Sequence, residues 1–442
     1  MYASAEAATF FEQALNAGRS WGEVPASELV AIAESLGDAR SRLGEFTTAE
    51  GIYRSARRWA TTPLERARLH YKVALTVDRA GDYPTALRVL SVAERSLGDA
   101  RDTMAARLRA EIRVHYGRVR QRQGKSREAV RLLQEATALA RSAEAPDVEA
   151  QALLILDQAE LTVGSGDGER ARAALQILRG VGGQLWLEGR ALNEIGIRAY
   201  FAGRWSEAAE CYADARSAWQ QAGDQWTAAM TSGNIAEILS DQGHLVEAED
   251  ILTETMRTFR AARTPSFIAY AALLLGRVAA RRGQYERARS SLEEAQDLFK
   301  ADGEALEVAH ARAVLAESHL LAGDVETARS LASEALADTA KLAGRDLVLP
   351  LLLRVLAVAE VSARGDQALA RQHLERSIEV ARTREHPYEL ALSLQAMAGL
   401  WPEALTEGLT ATKEALLEQL GVLPAARSAL SLVGQSPISH RT

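Results

Sequence analysis

Apolar and polar positions alternate along this chain with the period of an α-helix, and the helical stretches are interrupted at regular intervals by glycine. Between Ala191 and Gly223, Leu192, Ile195, Gly196 and Ala199 fall on one helical face, and after Gly203 the positions Ala208, Tyr212 and Ala215 do the same. The pattern predicts two amphipathic helices joined at Gly203, where glycine supplies the left-handed backbone that ends the first helix. The same signal recurs at Gly44, Gly81, Gly124, Gly166, Gly203, Gly243, Gly283, Gly323, Gly365 and Gly399, spaced 34 to 43 residues apart. A fixed period of this size predicts a solenoid of about ten helical hairpins, each burying its apolar face on its neighbours.

Further slots keep step with these glycines. Five residues later stands alanine in every unit: Ala49, Ala86, Ala129, Ala171, Ala208, Ala248, Ala288, Ala328, Ala370 and Ala404. Seven residues before the glycine a small residue stands in eight of ten units: Gly37, Ala74, Gly117, Ala159, Gly196, Ala236, Gly276 and Ala316. The two small slots are expected to face each other where the helices pack closely. At +9 comes a bulky residue (Tyr53, Leu90, Leu133, Leu175, Tyr212, Leu252, Leu292, Leu374), and at +12 alanine returns, from Ala56 to Ala411. At +2 an aromatic (Phe46, Tyr83, Trp205, Tyr285, Trp401) can wedge between the helices. Thr62-Pro63-Leu64-Glu65 reads as a capping box with proline in the first helical position, a part that Pro146 and Pro265 play elsewhere.

These slots resemble those of the tetratricopeptide repeat family over nearly the whole chain. The resemblance implies an all-α, right-handed superhelix of hairpins whose first helices line a concave groove. It also implies ligand-facing slots thirteen, ten, six, three and two residues before each turn glycine. Those slots carry Arg68, Tyr71, Asp78 and Arg79 in the second unit, and Glu111, Arg118, Gln121 and Arg122 in the third. They carry Arg190, Asn193, Tyr200 and Phe201 in the fifth, and Asn234, Glu237, Ser240 and Asp241 lie on the first helix of the sixth. Tyr270, Arg277 and Arg281 follow in the seventh, and His310 and Glu317 in the eighth. The candidate partner-binding set is Arg68, Tyr71, Arg79, Arg118, Arg122, Asn193, Tyr200, Asn234, Glu237, Asp241, Arg277 and Arg281, residue types that read extended peptides by forked hydrogen bonds and aromatic contact. The same residues would look no different on a solvated face or in intramolecular ion pairs.

The boundaries expected are residues 1–18 as the second helix of an incomplete repeat or a cap, 26–420 as the array, and 421–442 as a cap and loose tail. In the first segment Ala7, Phe11 and Ala14 match the +5, +9 and +12 slots, so the chain reads as beginning halfway through a repeat. The fourth and ninth units have the weakest patterns, the fourth with a turn loosened by the run from Gly164 to Gly168. A short capping helix is expected from Pro424 to Leu432.

Composition narrows the function. The net charge of −7 argues against general nucleic-acid binding, and Cys211, the single cysteine, excludes an intramolecular disulfide. Leu347 to Val361 is the most apolar stretch, but Arg354 and Glu360 interrupt it, so it reads as a buried helix and not a membrane span. A cytoplasmic protein is the expectation. Gly124-Lys125-Ser126 resembles the end of a phosphate-binding loop, but the glycine required five residues earlier is Val119 and no strand precedes it. His310 and His319 lack metal-ligand spacing, and Cys211 has no histidine or arginine cluster beside it in sequence. No catalytic set, cofactor or metal site is predicted.

The runs Asn193-Glu194-Ile195-Gly196 and Asn234 to Leu239, followed by Asp241-Gln242-Gly243, resemble the repeat region behind the ATPase module of large actinobacterial signalling proteins, many of which begin with an adenylate or guanylate cyclase domain. That resemblance implies a non-enzymatic scaffold with a protein or peptide partner, the regulatory or sensory part of a signalling protein whose ATPase or cyclase module this chain lacks. The alternatives are the effector-sensing arm of an ATP-dependent transcription regulator and a remnant related to such enzymes without their activity.

Overall fold

The computed structural model describes residues 2–424 and 426, apart from 101, 164–166, 341 and 343. Every regular element among them is helical, and the chain divides into two compact units, residues 1–191 and 192–442.

The first unit holds α1 (Tyr2–Trp21), α2 (Ala26–Arg42), α3 (Phe46–Ala56), α4 (Pro63–Arg79), α5 (Tyr83–Leu97), α6 (Thr103–Arg122), α7 (Ser126–Ser142), α8 (Pro146–Thr162) and α9 (Glu169–Val181). The boundary falls within α10 (Leu185–Phe201). The second unit continues with α11 (Trp205–Gln221), α12 (Gln225–Gln242), α13 (Leu245–Ala262), α14 (Pro265–Arg281), α15 (Tyr285–Asp302), α16 (Ala305–Leu321), α17 (Val325–Thr339), α18 (Leu349–Ser362), α19 (Gln367–Thr383), α20 (Pro387–Leu400) and α21 (Glu407–Gln419). Even-numbered helices from α2 onward are the first helices of their hairpins, and α2, α4, α6 and α8 in the first unit and α12, α14, α16, α18 and α20 in the second each pack on the helix before and the helix after them in sequence.

The slots explain the packing. The +5 alanines from Ala49 to Ala370 are all fully buried. The small residue at −7 faces the bulky +9 side chain of its own hairpin: a Cβ on Gly117 would stand 2.5 Å from Leu133 Cγ, and one on Gly196 would stand 2.7 Å from Tyr212 Cε1. The −7 position thus meets the +9 side chain, which needs the room that a missing Cβ leaves, and at Gly276 it also meets the +5 residue, with a Cβ there 3.2 Å from the Ala288 carbonyl oxygen. Thr62 and Glu65 close the capping box at α4, and Pro146 and Pro265 open α8 and α14.

Departures lie at the weak units and the ends. In α1 Ala8 and Gly18 are buried, Ala8 flanked by Ala7, Phe11 and Leu15 against Leu36 and Ala39, while Ala14 is exposed. At the ninth turn the left-handed residue is Arg364, one place before Gly365. Gly399 lies inside α20, and Trp401-Pro402 begins a short 3-10 turn, after which α21 starts only at Glu407, capped by Thr406. Ala404 and Ala411 consequently leave their expected buried slots. The turn at Gly166, most of the expected helix from Pro424 to Leu432 and the tail beyond it lie outside the described residues.

The stretch read as a buried helix is α18, whose residues Leu349 to Ala359 are all buried, Arg354 among them. No described helix is long and apolar enough to cross a membrane.

Candidate functional site

In the first unit the even-numbered helices are laced together by polar side chains from the slots that sequence singled out. Arg68 on α4 donates from Nε to both carboxylate oxygens of Glu34 on α2 at 2.8 Å, and Lys72 Nζ lies 2.7 Å from Asp38 Oδ2. Arg79 donates to Ser41 Oγ at 2.9 Å. One step along, Arg122 on α6 donates to Asp78 Oδ2 on α4 at 2.8 Å, and Gln121 reaches Gln158 on α8 at 3.4 Å. Tyr71 stands edge-on to His115, whose Nε2 is 3.2 Å from Asp78 Oδ2. Burial would raise the Asp78 carboxyl, but His115 and Arg122 hold it below the usual range. Burial pushes His115 below its ordinary value, with Asp78 partly opposing.

Arg118 departs from this pattern. It is half-buried on α6, and among the described residues it makes no hydrogen bond or ion pair. It lines a cleft of about 600 Å³ with Arg122, Arg190, Gln121, Gln158 and Trp186. Burial pushes its guanidinium down to about 10, and the neighbouring Arg190 adds to the effect. An arginine stays charged at neutral pH even so, which leaves a cation with little water and no carboxylate in direct contact, Asp78 acting on it only through space.

The second unit treats its slot residues differently. Asp241 on α12, 1% exposed, receives Arg281 at 2.8 Å and Arg277 in a very short contact. Glu237 accepts from the Tyr270 hydroxyl at 2.8 Å. Burial would raise the Asp241 carboxyl, but Arg277 and Arg281 hold it below the usual range. Tyr200 stacks on Trp205 at 5.7 Å, Asn193 is buried and Asn234 half-buried. Arg281 donates onward to the hydroxyl of Tyr388 on α20 at 3.1 Å, and Arg354 on α18 donates to Glu389 at 2.6 Å. The Tyr388 ring packs on Trp205 at 5.0 Å, and Leu417, Leu420 and Val422 join the same apolar cluster. The C-terminal helices thus rest on residues of α10, α11, α12 and α14, and Asp241, Arg277 and Arg281 form a buried internal network.

Sequence reasoning missed Tyr388, Glu389, Arg354 and Trp186. Arg354 did leave a signal, since an arginine inside an apolar helix needs a carboxylate partner.

The sequence pattern of the tetratricopeptide repeat family matches residues 269–294 and 309–334, the hairpins α14–α15 and α16–α17. No curated protein matches the sequence. Among solved structures, a Rap protein complexed with Competence and Sporulation Factor is 13% identical, covering 72% of this chain and 88% of that one with a TM-score of 0.55. NprR in complex with its cognate peptide NprX is 14% identical over 69% of this chain and 88% of that one, with a TM-score of 0.53. A signal transduction ATPase with numerous domains and a tetratricopeptide repeat sensor, from Pyrococcus horikoshii, is 17% identical over 63% of this chain and 44% of that one, with a TM-score of 0.50. At these identities the likeness is one of fold: the chain is an all-α solenoid of the tetratricopeptide type.

Proposed function

We propose that this chain is a non-catalytic interaction scaffold whose first unit captures an acidic peptide segment at Arg118, and that it serves as the sensory or regulatory part of a cytoplasmic signalling protein. The observation that carries the reading is Arg118 itself. The other candidate cations, Arg68, Arg79, Arg122, Arg277 and Arg281, are engaged within the fold, whereas Arg118 meets an open cleft with more positive charge beside it. A carboxylate placed there makes charge-assisted hydrogen bonds and relieves the repulsion among the arginines. Trp186, 45% exposed at the same cleft, offers a flat apolar surface to a neighbouring side chain. The likeness in fold to NprR in complex with its cognate peptide NprX supports the same mode of action.

The test is selection of a random dodecapeptide display library on the full chain. Bound sequences should be enriched in Asp and Glu, and Arg118→Glu should abolish the enrichment while melting at or above the parent temperature. No enrichment of any peptide overturns the scaffold reading. A loss of several degrees in the variant makes Arg118 a structural residue instead.

A second reading, favoured by the likeness to the archaeal ATPase, makes the chain the sensing arm of a nucleotide-binding or cyclase module. Co-purification with such a module encoded beside it, lost in the Arg118 variant, would support that reading.

A further inference from the structure

Beside the cleft at Arg118 lies a second one of about 640 Å³, lined by Lys125, Arg127, Glu128 and Val163, and the two share Gly124, Ser126 and Thr162 as a common wall. Part of that wall is the turn from α6 into α7. Gly124 takes the left-handed conformation at φ +73°, a Cβ on it would meet nothing within 4 Å, and Lys125 N donates back to Arg120 O at 3.0 Å. The turn thus holds the first residues of α7 at the edge of open space.

The start of α7 is a set of unused donors. Its first helical bond runs from Ala129 N to Lys125 O, so the N–H groups of Ser126, Arg127 and Glu128 have no partner among the described residues. At other hairpins an acidic cap takes such groups: Asp82 accepts from Thr85 N, Asp324 from Thr327 N, and Asp366 from Ala368 N and Leu369 N. Here the capping residue is Lys125, whose side chain has no acceptor. Ser126 is 8% exposed and lines both clefts, yet its hydroxyl makes no hydrogen bond among the described residues. A buried hydroxyl with no partner in the protein takes one from the cleft. Gly124-Lys125-Ser126 thus keeps the donors that close a phosphate-binding loop, without the loop that would enclose a nucleotide.

The charge beside these donors is not offset. Lys125 and Arg127 make no ion pair among the described residues, as Arg118 makes none, and the carboxylate lining the cleft, Glu128, is held by Arg120 at 3.1 Å. A carboxylate, with two oxygens and one charge, leaves most of these donors unused. A phosphoryl ester brings three acceptor oxygens and a charge of about −1.5 to −2 at neutral pH. The size of the clefts, about 600 and 640 Å³, far exceeds a phosphate ion, and Trp186 and Val163, 45% and 36% exposed, are apolar walls that a free ion would leave bare.

We propose that the start of α7, together with Ser126 and Arg118, is a phosphoryl-binding subsite, and that the acidic segment captured here carries a phosphorylated serine or threonine. The free N–H groups and the Ser126 hydroxyl hold phosphoryl oxygens, Arg118 faces the dianion from the adjoining cleft, and flanking side chains cover Trp186 and Val163. Phosphorylation of the partner is then the signal that the chain reads. The inference rests on the acidic-peptide reading of the same cleft and specifies its ligand.

The test uses the full chain and three dodecapeptide libraries with degenerate flanks around a fixed phosphoserine, glutamate or serine. The phosphoserine library should be retained about tenfold or more over the glutamate library, the effect of further charge-assisted hydrogen bonds. Arg127→Ala removes a side-chain charge, and Arg127→Pro removes the N–H as well, at the position where α5 itself carries Pro84. The proline variant should bind the phosphoserine library more weakly than the alanine variant, while the two bind the glutamate library alike. Ser126→Ala should weaken phosphoserine binding by about three- to tenfold. Equal retention of the phosphoserine and glutamate libraries overturns the inference and leaves the acidic-peptide reading standing, whereas retention of none overturns both. Inorganic phosphate competing as well as the phosphoserine library assigns the subsite to a free anion. Adsorption to vesicles of phosphatidylcholine and phosphatidic acid, lost in Arg127→Pro, assigns it to a membrane, and either result overturns the proposal. If Arg127→Pro melts several degrees below the parent, Ser126→Ala decides: phosphoserine binding unchanged in that variant overturns the subsite.

Discussion

The side-chain amide of Gln242, on the last turn of α12, donates to the carbonyl of Leu420 across a sequence separation of 178 residues. The Gln242 carbonyl in turn accepts from Leu423 N. One residue thus holds the end of α21 by both side chain and backbone. Gln242→Ala should leave the Leu420 carbonyl unpaired, cost about 1 kcal/mol, and appear as faster amide exchange confined to the residues around Leu420.

The seating of Leu133 on Gly117 predicts a coupled pair. Gly117→Ala should destabilise the first unit by about 1–3 kcal/mol through overpacking, despite alanine's better helix propensity. Leu133→Ala alone should cost about 2–5 kcal/mol. In the double variant the new methyl fills part of the hole, so the loss should fall below the sum by about 1 kcal/mol or more. Denaturant titration of the four proteins reads this directly.

Arg354 and Glu389 are both largely buried, at 1% and 14% side-chain exposure. Burial would raise the Glu389 carboxyl, but Arg354 holds it below the usual range. Arg354→Ala strands that carboxylate and should cost about 3–5 kcal/mol. Arg354→Met with Glu389→Leu removes both charges and should recover most of the loss, as measured by thermal melting.

His115 predicts a pH dependence. Its folded pKa lies below the ordinary value of about 6.5, so between the two the unfolded chain binds more protons. The stability tied to neutral His115 is therefore present above about pH 6.5 and is lost as pH falls toward the folded value. Melting temperature should drop by a few degrees from neutral to mildly acidic buffer, and His115→Gln should flatten that drop.

The hairpins were legible because their determinants are local: Gly117, Ala129 and Leu133 lie within one hairpin, α6–α7, and carry their packing in their sizes. The slots facing the groove were legible as positions but not as roles. Arg118 and Arg122 are one helical turn apart and look alike in sequence, yet Arg122 meets Asp78 and Arg118 meets none, a difference set by the neighbouring helix. The seat of Tyr388 on Trp205 was illegible, because no periodicity links residues so far apart. Around Ala404 and Ala411 the pattern misled: alanine suits any helix, and Trp401-Pro402 had already broken the frame that would have buried them.

The grip of Gln242 on Leu420 also makes the second unit countable. An open array gains or loses a hairpin at small cost, since each repeat answers only to its neighbours. Between Gln242 and Leu420 that freedom is gone, because one added hairpin would carry Tyr388 away from Trp205 by roughly a helix-packing distance of 8–10 Å. Duplication and deletion, the usual ways such chains change length over generations, are barred from this stretch as long as its two ends must meet.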